Sequence, residues 1–138
     1  MAETIEAGGL HFFFENRATS SDGGPSLQVR AQVEGKTVQL LRFDMFYKQP
    51  HYHYAPNGTN IRYDVDPLTL DDGIGWAIGL LRAKLPQLLV KAEYPQALSP
   101  DLTAAALAAL PEIEAAWRME EPAAMPEAAG QPATMSRD

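Results

Sequence analysis

The 138-residue chain has no cysteine. That excludes disulfides, thiolate zinc centres, thiolate-held iron–sulfur clusters and a cysteine nucleophile, and it fits a reducing compartment. Long apolar runs are missing too. The longest, around Ile74–Leu81, is broken by glycines and stops at Arg82, well short of the roughly 20 apolar residues that a bilayer-spanning helix needs. Met1–Gly9 is acidic and lacks the apolar stretch of a secretory signal. A soluble, cytoplasmic protein is expected. Basic residues are scarce as well, and the net charge is −7. Only residues 36–62 reverse the sign, with Lys36, Arg42, Lys48 and Arg62 against Asp44. General nucleic-acid binding, which requires a concentrated basic face, is not expected. A small anion or an acidic partner at this middle segment is compatible with the charge.

What is present is enough for a core: 46% of residues are hydrophobic, in a chain of the usual length of one domain. The aromatic run His11–Phe14 predicts a strand over about Leu10–Asn16. Ala18–Ser26, rich in Ser, Asp and Gly, reads as a loop. Leu27, Val29, Ala31 and Val33 alternate with polar residues and predict a half-buried strand. Glu34-Gly35-Lys36 is a tight turn. The next strand spans Thr37–Tyr47, with Leu41, Phe43 and Met45 on one face and Arg42 and Asp44 on the other. Val38 and Leu40 have the opposite parity, which predicts a β-bulge or burial on both faces. His51–Tyr54 forms a short extended piece. Pro56-Asn57-Gly58 is a turn whose Asn or Gly accepts left-handed geometry. Asn60–Asp66 completes the strands.

From Asp71 the pattern becomes helical. Asp71 or Asp72 caps a helix carrying Ile74, Ile78, Leu81, Leu85 and Leu88, and Pro86 should kink it. Ser99 caps a second helix with Pro100 in its first turn; its stripe is Leu102, Ala106, Leu110, Ile113 and Trp117, and Pro111 threatens a kink. Strands followed by helices give an α+β fold, an antiparallel meander of about five strands with two helices on one face. Residues 1–118 form a single domain, with 1–8 flexible. Residues 119–138, rich in alanine and proline, read as a disordered tail.

The least ordinary segment is His51-Tyr52-His53-Tyr54. On a strand, His51 and His53 share one face, and Tyr52 and Tyr54 the other. Two imidazoles so placed can chelate a metal ion, with Asp44, Asp64, His11 or Asp66 available as a third ligand. The plainer alternative is that all four side chains pack in the sheet. A histidine base assisted by Arg42 or Arg62 is conceivable, but no spacing orders such groups into an activated set. Asp64-x-Asp66 followed by Asp71-Asp72 lacks the spacing of a calcium loop, and Gly73-x-Gly75 lacks the third glycine of a dinucleotide fingerprint.

The blocks Leu41-Arg-Phe-Asp44, Pro50-His-Tyr-His-Tyr-x-Pro56, Asp66-Pro67, Gly75-Trp76 and Leu81-Arg-x-Lys-Leu-Pro86 resemble those of a family of small bacterial proteins of unknown function. The resemblance implies a bacterial cytoplasmic protein and no particular activity.

The functional expectation is a non-catalytic accessory or interaction protein. It presents His51–Gly58, through His51, Tyr52, His53, Tyr54 and Asn57 with Arg42 and Arg62, to a protein partner or small polar ligand. No cofactor, nucleic acid or membrane is expected as part of that function. The alternative is a metal-binding protein or metal-dependent enzyme built on His51 and His53 with Asp44 and Asp64. The third reading is a small nuclease or toxin-like protein.

Overall fold

The computed structural model describes residues 3–120. Six strands come first, β1 (Glu3–Ala7), β2 (Leu10–Ala18), β3 (Gly23–Val33), β4 (Lys36–Asp44), β5 (His51–Tyr54) and β6 (Ile61–Asp64). A 3-10 turn at Pro67–Thr69 leads to α1 (Gly73–Lys91) and α2 (Pro100–Arg118). The strands form one antiparallel sheet in chain order. The fold is the α+β meander with following helices that the residue pattern implies. The expected tail lies, apart from Met119 and Glu120, outside the described residues.

β1 is the strand that sequence reading misses. Residues 1–8 were expected to be flexible, but Glu3–Ala7 pair with β2 along their length. The Gly8-Gly9 turn explains this, since both residues have positive φ and form the two-residue connection that suits hairpin twist. Ile5 and Ala7 then pack against the core. Gly8 is also needed for space, because a Cβ there would lie 2.7 Å from the Leu102 carbonyl oxygen. The expected loop at 18–26 shrinks in the same way. β2 and β3 stay paired as far as Ala18 and Gly23, and the backbone N–H groups of Met45 and Tyr47 donate to Pro25 and Gly23 at 2.9 and 2.8 Å.

The parity conflict in β4 resolves as a bulge. Val29 faces Leu41 while Arg30 faces Gln39, leaving Leu40 as the extra residue. Leu40 and Leu41 are consequently both buried. Left-handed geometry falls elsewhere than expected after β5, at Ala55 and Asn60 rather than at Asn57 or Gly58. The reason is a closed loop in which Gly58 and Asn60 both donate to the Ala55 carbonyl, at 2.9 and 2.8 Å. Asn57 Oδ1 accepts from the Gln39 N–H and ties the turn to β4.

One sheet face meets both helices. Leu10, Phe12, Phe14, Leu27, Val29 and Phe43 join Ile78, Leu81, Leu85, Leu110 and Trp117 in a single buried cluster. Each such large side chain contributes about 1.5–3 kcal/mol through burial. Asp72 and Ser99 cap the helices, accepting from Gly75 and Leu102. The helical dihedrals break at Lys84, two residues before Pro86, as loss of the proline N–H and its clash with the preceding turn require. α2 continues through Pro111 as one element.

Candidate functional site

The strand pairing carries two sets of side chains across the sheet in opposite directions. Phe43, Tyr52 and Tyr63 occupy consecutive positions across β4, β5 and β6. Their rings stack at 5.8 and 5.7 Å between centroids, and Trp76 of α1 leans on Tyr52 at 5.5 Å. Lys91 caps this aromatic group at 5.0 Å from the Tyr54 and Tyr63 rings. Burial first, and then Tyr52, push the Tyr54 phenol up to about 12, so it keeps its proton at neutral pH. Tyr52 and Tyr54 thus pack beneath the helix layer as ordinary cross-strand partners.

The histidines point to the other face. Asp44 lies opposite His51, and Arg42 opposite His53. Asp44 is 1% exposed, His51 7% and His53 6%. This burial is a correction to the expected exposed ridge: His51, His53 and Tyr54 are covered, while Arg62 and Asn57 are exposed and Arg42 is half-buried. The cover on the histidine side comes partly from Phe46, whose ring meets His51 edge-on at 5.5 Å and which lies under the Arg17 guanidinium at 5.7 Å.

Asp44 is the centre of the cluster. Its Oδ1 accepts from Ser26 Oγ at 2.7 Å and from Arg17 at 3.2 Å. Its Oδ2 accepts from Arg42 Nε at 3.0 Å and lies 3.3 Å from His51 Nε2. Burial raises the carboxyl pKa, but hydrogen bonds from His51 and Ser26 and the charges of Arg42 and Arg17 outweigh it and hold the group well below the ordinary carboxylate range. The ring of His51 is oriented by the Gln49 carbonyl, 3.0 Å from Nδ1. His53 Nδ1 lies 2.8 Å from Asn60 Oδ1, and His53 Nε2 lies 3.2 Å from Arg42 Nη2. Since a carbonyl oxygen only accepts and a guanidinium only donates, His53 is a neutral ring protonated on Nδ1. Burial chiefly, with Arg42 and His51 nearby, holds its pKa below the usual value.

Among the described residues, Asp44, His51 and His53 are the group whose ligating atoms come together, all within 4.8 Å of one another. Asp64 drops out of the expected ligand set. Although it faces His51 in register, its carboxylate turns outward to Arg62 at 2.9 Å. His11 lies towards the far end of the sheet and pairs with Glu6 at 3.6 Å. Ser26, Arg17, Gln49 and Asn60 are contributors that sequence reading missed. Only Asn60 had a local signal, as a polar residue closing the turn after β5. The others reach the site through strand register, which no short motif encodes.

A cleft of about 240 Å³ opens on the β4–β5 side, lined by residues that include Phe46, Tyr47, Pro50 and Asp71 to Ile74. Phe46 lines this cleft and also meets the His51 ring. No described helix is long and apolar enough to cross a membrane.

No curated protein and no solved structure matches the chain. A family model does match it, over residues 4–116, a span that takes in all six strands except Glu3 and nearly all of α2. By that match the chain belongs to the family described as a domain of unknown function, DUF7700.

Proposed function

We propose that this chain is a small, cytoplasmic, non-catalytic accessory protein that docks an acidic protein partner on the open face of its sheet. The observation that carries the reading is the placement of four arginines. Arg17, Arg30, Arg42 and Arg62 stand on the face opposite the helix-packed core, as the strand register requires. Arg30 lies over the Phe13 ring at 4.2 Å, an arrangement of rigid area and fixed charge that suits protein contacts. Asn57, at the rim of the same surface, is exposed.

Two features support a protein over other ligands. The face is a broad strand surface, whereas small molecules are usually held in concave sites. Glu6, Glu15 and Asp64 are interleaved with the arginines, a mixed pattern that disfavours a nucleic-acid backbone and suits complementary side chains of both signs. The non-catalytic part of the reading rests on the engagement of both nitrogens of His51 and of His53 by protein groups, which leaves neither ring free as a base.

The test is recovery of partners from host cells with wild-type protein and with the double variant Arg30→Glu, Arg62→Glu, whose folding is checked by circular dichroism. Neither residue touches Asp44. Loss of specifically recovered acidic proteins, together with salt-sensitive binding by the wild type, is expected. Unchanged recovery by the double variant overturns the reading.

A further inference from the structure

We propose that Asp44, His51 and His53 form a site for one divalent transition-metal ion, and that Arg42 is the built-in cation which the ion replaces. The inference concerns side chains buried beneath the docking face and does not depend on a partner being bound there.

The geometry of the three groups is that of ligands. Asp44 Oδ2 and His51 Nε2 are 3.3 Å apart, and two ligands with bonds of about 2.1 Å to one ion are separated by about 3.0–3.4 Å. The third group lies within the same 4.8 Å circle. Ring orientation is a separate observation. His51 Nδ1 is anchored to the Gln49 carbonyl and His53 Nδ1 to Asn60 Oδ1. His51 Nε2 consequently faces the Asp44 carboxylate, and His53 Nε2 faces the Arg42 guanidinium that the carboxylate binds; an anchored outer N–H is the usual support of a metal-bound imidazole. The carboxylate is supported similarly, with Ser26 and Arg17 on Oδ1 and Oδ2 turned toward the rings.

His51 also calls for a cation at this point. Its Nδ1 faces a carbonyl oxygen, so Nδ1 carries a proton, and its Nε2 faces a carboxylate oxygen. A bare lone pair there would oppose another lone pair. A metal ion placed between the two atoms would remove the conflict.

Arg42 occupies the competing position. Its Nε bonds Asp44 Oδ2, and its Nη2 bonds His53 Nε2, the two atoms that an ion would take. A divalent ion and a guanidinium cannot share them, because like charges at contact in a buried site repel strongly. Arg42 can leave. Its side chain is 24% exposed against 1% for Asp44, and its face of the sheet lies away from the helix-packed core. Two imidazoles and one carboxylate, with no thiolate, select zinc, iron(II), cobalt or nickel over copper(I) or calcium.

The experiment uses the full untagged chain, stripped with chelator and titrated calorimetrically with zinc, cobalt and nickel chlorides. One ion per chain is expected. His53→Ala should weaken binding about tenfold or more, Arg42→Ala should tighten it several-fold, and His11→Ala should leave it unchanged. Nitrogen NMR of the wild type needs no variant, and zinc should shift the Nε2 resonances of His51 and His53 while leaving those of His11 in place. Absence of binding in both wild type and Arg42→Ala, equal binding by folded His53→Ala, or zinc shifts confined to His11 would each overturn the site. Weaker binding by Arg42→Ala would overturn the exchange.

Discussion

Asp44 keeps its charge under the sheet's open face because four donors surround it, and His53 stays neutral beside it because one of those donors, Arg42, needs an acceptor. The two groups respond to acid in different windows. The pKa of His53 is held below its ordinary 6.5, by burial first and then by the facing charges of Arg42 and His51, against the raising effects of Asn60 and Asp44. The unfolded chain therefore takes up the proton before the folded one does. The stability associated with His53 is complete above 6.5 and is lost as pH falls from there toward its folded value. The pKa of Asp44 is depressed from 3.8, so its contribution is complete above that value and is lost as pH falls through the lower folded value. Urea midpoints measured from neutral pH downward should accordingly fall in two stages. His53→Gln should remove the first and keep the second; two stages of unchanged size in that variant would mean that His53 does not titrate as argued. Much of this residue-level picture was legible in the sequence. The alternation of His51-Tyr52-His53-Tyr54 fixed the two faces, and Arg42 and Asp44 were placed on one parity. The choice between Asp44 and Asp64 was not legible, since both oppose His51 in register. It is decided by Ser26 and Arg17, which lie 18 and 27 residues from Asp44 along the chain.

Among the elements, those with strong local signals were readable and those set by distant contacts were not. The Leu40–Leu41 parity conflict announced the bulge, and Pro86 announced the kink. β1 escaped because Glu3–Ala7 is too short and polar to stand out. The Gly8-Gly9 pair between it and the aromatic run was the available hairpin signal. The start of α1 shows how one residue can serve two elements. Asp72 accepts from the Gly75 N–H at 3.1 Å as a cap and holds Arg118, at the end of α2, at 2.7 Å. The pair is half exposed, with side-chain exposures of 53% and 42%, so solvent screens the charge interaction and the cap is the larger contribution. Asp72→Ala should cost about 1–2 kcal/mol in urea unfolding, and Arg118→Ala about 0–1 kcal/mol. Equal losses in the two variants would assign the effect to the ion pair and not to the cap.

At the scale of the whole molecule, the sheet separates two environments. One face shares a single core with both helices; the other carries the arginines and the buried Asp44 network, with no comparable apolar cluster among the described residues. Because the large core among the described residues joins both layers, the helices cannot be released without exposing the sheet, so the layers should unfold together. Leu110, Ile113 and Trp117 of α2 are fully buried in the same cluster as Phe12, Val29 and Phe43. The edge strands differ. β6 is exposed along its length and β1 along most of it. Amide hydrogen exchange should therefore show the slowest amides of β3 and of α2 opening with one common free energy, equal to that of global unfolding, with β1 and β6 exchanging faster. Exchange of α2 through a separate opening of lower free energy, with β3 still protected, would show that the helices detach on their own and that the shared core does not bind the two layers into one cooperative unit.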